Sequence, residues 1–289
     1  RTVMDADVGG LPVMPNMQRL KGEGIWFENF FANSFRTDRG EVAILSGFPA
    51  QTRMSIMKLP AKSRNLPSLA RSLSGAGYAT CFSYGGDLNF TNQASGWQQL
   101  TWQKDLRFDT PPADWGYDDA VMCDWFADRV IALSGKGEPF LAGMLTLSSH
   151  RPFDVPFSKF DDKELNAFAF SDECVGRMVD KLKASPAWDN LLLVLVADHG
   201  YPWPRSLSYN EPLRHRIPMI WLGGAVAAPR VVDTYASQID ICATILGQLG
   251  IDHSDFDYIK DIFAPTPPRK FAYYTFNDGF GVVDASGEA

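Results

Sequence analysis

The residues most able to do chemistry in this sequence sit where apolar runs stop. Residues 191–197 (LLLVLVA) end in Asp198, His199 and Gly200. A carboxylate beside an imidazole supplies a hard oxygen and a nitrogen, a donor pair suited to Zn²⁺ or Mn²⁺. The same residues also read as an ordinary turn, with Asp198 capping it and His199 at the surface. A second cluster, residues 33–47 (NSFRTDRGEVAILSG), sets polar side chains ahead of an apolar helical run. Thr37 and Asp38 stand where helix N-caps stand, and Asp38 with Glu41 has the capping-box spacing. A hydroxyl there faces free backbone N–H groups and the positive end of the helix dipole, a setting for bound phosphate or sulfate. A metal ion would lower its pKa and make it a nucleophile. A third segment, residues 146–153 (TLSSHRPF), delivers His150 from a strand end. His150 could hold an anionic oxygen or protonate a leaving group, although a single loop histidine is more often structural.

Neighbouring residues are candidates to bind substrate. Arg36 and Arg39 flank Thr37 and can pair with substrate oxygens or stay solvated. In GGDLNFTN, Asp87, Asn89 and Asn92 follow a strand and could line a pocket, while Gly85 and Gly86 also read as a tight turn. His215 reads as structural and His253 as a surface residue.

These groups meet only if a scaffold brings their ends together. Residues 140–147 (FLAGMLTL) and 191–197 are apolar throughout rather than alternating, which predicts strands covered on both faces. Between them, residues 161–184 carry apolar side chains at helical spacing, giving a strand–helix–strand unit. The same logic predicts a helix at 66–73 before a strand at 78–84, an interior strand at 217–222, and helices at 13–23, 38–45, 119–133 and 237–249. The class is α/β, a mostly parallel sheet between helix layers. Ligand sites in such sheets collect at the carboxyl ends of the strands, where Asp198 and His150 fall. Past Asp252 the alternation weakens, and residues 271–276 with 279–283 read as a small hairpin. This predicts a catalytic domain at 1–252 and a small C-terminal part at 253–289.

Composition narrows the partners. With 289 residues, 45% of them hydrophobic, the chain can bury a large core. A net charge of -7 disfavours nucleic acid, so an anionic substrate needs a local cation, from a metal or from focused Arg and His side chains. No run approaches the roughly 20 apolar residues of a membrane span, and no signal-peptide pattern is visible. Cys81, Cys123, Cys174 and Cys242 are too scattered for a zinc set and read as buried thiols.

The order of these motifs resembles the alkaline phosphatase superfamily, and within it the lipoteichoic acid synthase and sulfatase-like branch. The likeness runs from PNMQRLKGEGIWFENFFANSFRTDRGEVAILSGFPA to RHRIPMIWL, most of the chain. It implies Thr37 as nucleophile and metal ligand, Asp198 and His199 as metal ligands, and His150 as a substrate-binding residue. The implied cofactor is a divalent metal, Mn²⁺ first, with Zn²⁺ or Mg²⁺ as alternatives. The family's remaining ligand, a Glu at the end of the first strand, lies upstream of the PNMQRL helix, so the resemblance implies a truncated first strand and weak or absent metal binding. Where lipoteichoic acid synthases place Trp-x-Arg, this chain reads Phe90-Thr91-Asn92-Gln93, which implies a different head group. The Cys/Ser-x-Pro-x-Arg motif of arylsulfatases is missing around Thr37, which favours phosphoryl transfer over plain sulfatase chemistry. The implied partner is an anionic phospho- or sulfo-ester, lipid- or glycan-linked. The implied location is the cell membrane, with amino-terminal membrane helices and an extracytoplasmic, periplasmic or extracellular, catalytic domain. A phosphodiesterase or sulfuric ester hydrolase using water, and a non-catalytic binding domain of the same fold, are the alternatives.

Overall fold

A computed structural model of the chain describes residues 1–88, 96–266 and 269–287. The chain opens with a short hairpin, β1 (Asp7–Val8) and β2 (Leu11–Pro12), followed by α1 (Pro15–Lys21), β3 (Ile25–Phe27), β4 (Phe30–Phe31) and α2 (Thr37–Ser46). Pro15 starts α1 at the position where a missing N–H costs nothing. After α3 (Pro60–Ser63) and α4 (Leu69–Gly75) come β5 (Ala79–Tyr84), β6 (Gln99–Trp102), α5 (Asp119–Ser134) and β7 (Phe140–Leu145). The two longest helices, α5 and the following α6 (Lys163–Lys183), begin at acidic caps. Asp118 accepts from the N–H groups of Ala120 and Val121, and Asp162 from that of Glu164. The remainder is β8 (Leu193–Val196), α7 (Pro212–His215), β9 (Met219–Leu222), β10 (Arg230–Val232), β11 (Ala236–Ser237), α8 (Ile241–Gln248), β12 (Ala272–Phe276) and β13 (Gly279–Val283).

The α/β reading holds, with a more mixed pairing than all-apolar strands suggest. β6, β5 and β7 form a parallel three-stranded sheet. The neighbouring sheet runs β10-β3-β9-β8, parallel between β10 and β3 and antiparallel on both sides of β9. Alternate residues of these strands face opposite helix layers, as a two-sided core requires. Leu193, Leu195, Ile220 and Leu222 join a cluster with Phe126, Val130, Phe170, Met178 and Leu182 of α5 and α6. Val194, Val196, Met219 and Trp221 pack the other way, with Phe27, Phe30, Ile241 and Ile245. β7 and β8 flank α6 in a strand–helix–strand unit, yet among the described residues they are not paired with each other, and every residue of both remains partly exposed. The four cysteines are buried and free. Among the described residues no helix is long and apolar enough to cross a membrane.

The hairpin β12–β13 stands at the margin, as its spacing predicts, but it is bonded into the interior. Thr275 N–H donates to Asn33 O (2.8 Å) and Asn33 Nδ2 donates to Tyr273 O (2.9 Å).

Candidate active site

Thr37 and Asp198, 161 residues apart, are in direct contact: Thr37 Oγ1 donates to Asp198 Oδ2 at 2.7 Å. Asp198 follows β8 by two residues, and Thr37 is the first residue of α2. The expected capping box does not form. The helix starts earlier than that box requires, its N-cap is Arg36, whose side chain has no acceptor to offer, and the Thr37 hydroxyl is turned across to Asp198. Uncapped, the helix start keeps N–H groups that a bound anion can use.

Two devices hold this contact. Gly40 faces the backbone at Asp198 so closely that a Cβ there would stand 1.8 Å from Asp198 O, an approach open only to glycine. Gln238, fully buried, donates through Nε2 to Ala197 O (2.8 Å) and Asp198 O (2.7 Å), while its Oε1 accepts from Asn33 N–H (2.8 Å). One amide thus ties the segment before Thr37 to the segment bearing Asp198. Sequence reading misses Gln238, since a glutamine near a short strand has no motif to mark it.

His199 completes the group. Its Nδ1 lies 3.0 Å from Gly200 O, which can only accept, so Nδ1 carries a hydrogen and, in the neutral ring, Nε2 holds the lone pair. That Nε2 sits 3.5 Å from Asp198 Oδ2. Two lone-pair atoms and a hydroxyl oxygen therefore converge on one small space, an arrangement a cation would relieve. Carbonyl fixation of the far ring nitrogen is also the usual support of a metal-bound imidazole. The donor set fits a divalent cation in kind but is incomplete in number: among the described residues no cluster of three or more His, Cys, Asp and Glu gathers to hold a metal.

The remaining candidates are placed less centrally. Burial, with the charges of Glu41, Asp198, Asp119 and Asp87, pushes the Tyr84 hydroxyl at the end of β5 up to about 12. Asp87 is exposed there. His150 is exposed, with Nδ1 bonded to Arg151 O (2.8 Å) and its ring edge-on to Trp115 at 5.1 Å. It makes no hydrogen bond to Thr37, Asp198 or His199 among the described residues. Arg36 is exposed beside Thr37, whereas Arg39 is buried and committed to Ser34 Oγ (3.3 Å) and Arg53 O (2.8 Å). Burial lowers its pKa accordingly. Asn89 and Asn92 lie outside the described residues. His215 is fully buried, donating from Nε2 to Tyr209 O (2.7 Å) and stacked on Tyr274, a structural residue as its context suggests.

Comparisons with known proteins bear on the family and the fold. A family model described as sulfatase matches residues 3–251. Phosphoglycerol transferase I of Xanthomonas campestris pv. campestris is 26% identical over 268 residues, covering 81% of this chain and 37% of that protein. Lipoteichoic acid synthase 2 of Bacillus subtilis is 22% identical over 289 residues, covering 88% of this chain and 44% of that protein. The chain thus spans well under half the length of these curated relatives. Among solved structures, a protein in the alkaline phosphatase superfamily from Vibrio parahaemolyticus superposes with a TM-score of 0.87 at 27% identity, over 98% of this chain and 72% of that one. The lipoteichoic acid synthase LtaP from Listeria monocytogenes gives 0.85 at 20% identity, over 95% and 74%, a likeness of fold.

Proposed function

The chain belongs to the sulfatase family, and from that premise we propose that it is the catalytic part of a metal-dependent phosphoryl-group transferase acting on a phosphodiester through Thr37. The observation that carries this reading is the 2.7 Å contact between Thr37 Oγ1 and Asp198 Oδ2, with His199 Nε2 beside it. It joins a hydroxyl, a carboxylate and an imidazole drawn from two distant segments.

Thr37, Asp198 and His199 would hold the cation, Mn²⁺ by preference and Zn²⁺ or Mg²⁺ as alternatives. Such an ion supplies positive charge that lowers the hydroxyl's pKa and offsets charge on the reacting phosphate. Thr37 Oγ1, oriented by its bond to Asp198, passes its proton to Asp198 Oδ2 and attacks phosphorus; the bond to the leaving oxygen breaks as phospho-Thr37 forms, and an acceptor hydroxyl then takes the group while Thr37 regains its proton. The uncapped start of α2 and the exposed Arg36 lie where phosphate oxygens would be met. His150 exchanges a proton with the leaving oxygen through Nε2, the ring atom not bonded to Arg151. Asp87 borders the acceptor side.

The substrate is an anionic phosphodiester such as a phosphoglycerol donor, lipid- or glycan-linked. The whole protein is anchored by membrane helices outside these residues, with this domain on the extracytoplasmic side. In the full-length protein, Thr37→Ala should lower turnover of bis(p-nitrophenyl) phosphate by more than about 10⁴-fold without moving thermal unfolding. Retained turnover removes Thr37 from the reaction. Products formed with and without a glycan acceptor separate transfer from hydrolysis by water.

A further inference from the structure

We propose that Asp119 is the positioning residue for His150, acting through the turn between them; this rests on the reading of His150 as the group that serves the leaving oxygen. Asp119 opens α5 and is 1% exposed. Its Oδ1 accepts from the N–H groups of Leu147 (2.7 Å) and Ser148 (3.2 Å), and its Oδ2 accepts from Ser171 Oγ of α6 (2.6 Å). In return, Asp119 N–H donates to Ser148 Oγ at 2.8 Å. The segment so gripped is the first half of a turn closed by His150 N–H donating to Leu147 O at 3.0 Å. Two bonds fix residues 147 and 148, and the turn's own bond then fixes where residue 150 begins.

A buried carboxylate is a costly way to finish a strand, since removing its charge from water costs several kcal/mol before its bonds offset it. A buried amide could keep the two N–H groups on its one oxygen, but would turn an NH₂ toward Ser171 Oγ. A carboxylate gathers two successive N–H groups on one oxygen while keeping the other for α6, so the turn is referenced to both long helices. Precision of that kind serves a residue whose side chain must reach a fixed point. The imidazole itself is steadied by Arg151 O on one side and the Trp115 ring on the other. Nothing in the local sequence announces Asp119, because its partners lie 28 and 52 residues away.

The test uses the full-length enzyme with bis(p-nitrophenyl) phosphate, comparing Asp119→Ala, Asp119→Asn, His150→Ala and the Asp119→Ala/His150→Ala double variant. Asp119→Ala should lower kcat by about 10²-fold with little change in KM, the scale of a displaced catalytic group. Asp119→Asn keeps an acceptor oxygen for both N–H groups and should restore most of that loss. The double variant should be no slower than His150→Ala alone. Multiplying losses, or wild-type kcat in folded Asp119→Ala, overturns the proposal. The imidazole Cε1–H resonances of the four histidines of this domain give a readout free of activity: His150 should shift and broaden in Asp119→Ala while His253 stays. If His150→Ala turns over normally, the leaving-group reading falls, and an unmoved His150 resonance sinks the positioning claim separately. Should Asp119→Ala not fold, Ser171→Ala carries the same comparison, with a smaller kcat loss that must again vanish on the His150→Ala background.

Discussion

At the scale of single residues, the site depends on one missing side chain. A methyl at position 40 would overlap Asp198 O, and backbone cannot yield as a flexible side chain can. Gly40→Ala would ordinarily stabilise a helix interior by about 0.5–1 kcal/mol. Here it should instead lower the thermal midpoint and cost at least about 10²-fold in kcat, because α2 must withdraw and take Thr37 with it. A stabilised and fully active variant would show that the close approach is not needed. Asp198 and His199 are legible as candidates because they end an apolar run, and Thr37 because it sits in a polar cluster ahead of one; that the two segments meet is not written in either. Arg39 was not placed by sequence: flanking Thr37 in the chain, it points inward to Ser34 and Arg53 because successive helical residues face different sides.

Between elements, Gln238 is the joint. Its buried amide meets the buried Asn33 N–H on one side and the carbonyls of the half-buried Ala197 and Asp198 on the other. Gln238→Leu keeps the volume and strands those three groups, a penalty of about 1–3 kcal/mol for each buried partner left unmade. Denaturant unfolding should show a loss of several kcal/mol, and turnover should fall in the folded fraction. A midpoint within experimental error of wild type would mean water replaces the amide at no cost. Most elements could be drawn from periodicity: α5, α6, β5 and the final hairpin lie within two residues of expectation. What periodicity could not give was direction and adjacency. An apolar run such as residues 191–197 says covered on both faces, but β8 meets β9 antiparallel, and pairing is settled by contacts distant in sequence.

For the molecule as a whole, His215 sets an acid limit. It lies where α7, the hairpin and β4 meet, stacked on Tyr274, bonded to Tyr209 O, and with its own carbonyl taken by Ala32 N–H. Burial first, then the charge of Arg214, depress its pKa from 6.5 to about 4. Between those values the unfolded chain binds a proton that the folded one refuses, so stability is complete above about pH 6.5 and falls as pH drops toward 4. The loss is on the order of 3 kcal/mol. Thermal midpoints at pH 7.5, 6 and 4.5 should decline, and more steeply than in His215→Asn; parallel curves for the two proteins would acquit the histidine. The separation of β7 from β8 has a different consequence. Among the described residues each is the last strand of its sheet and aliphatic in sequence, an edge of the kind that can pair with a strand of another chain. Whatever covers those two margins therefore also guards the polypeptide against joining a second copy of itself edge to edge.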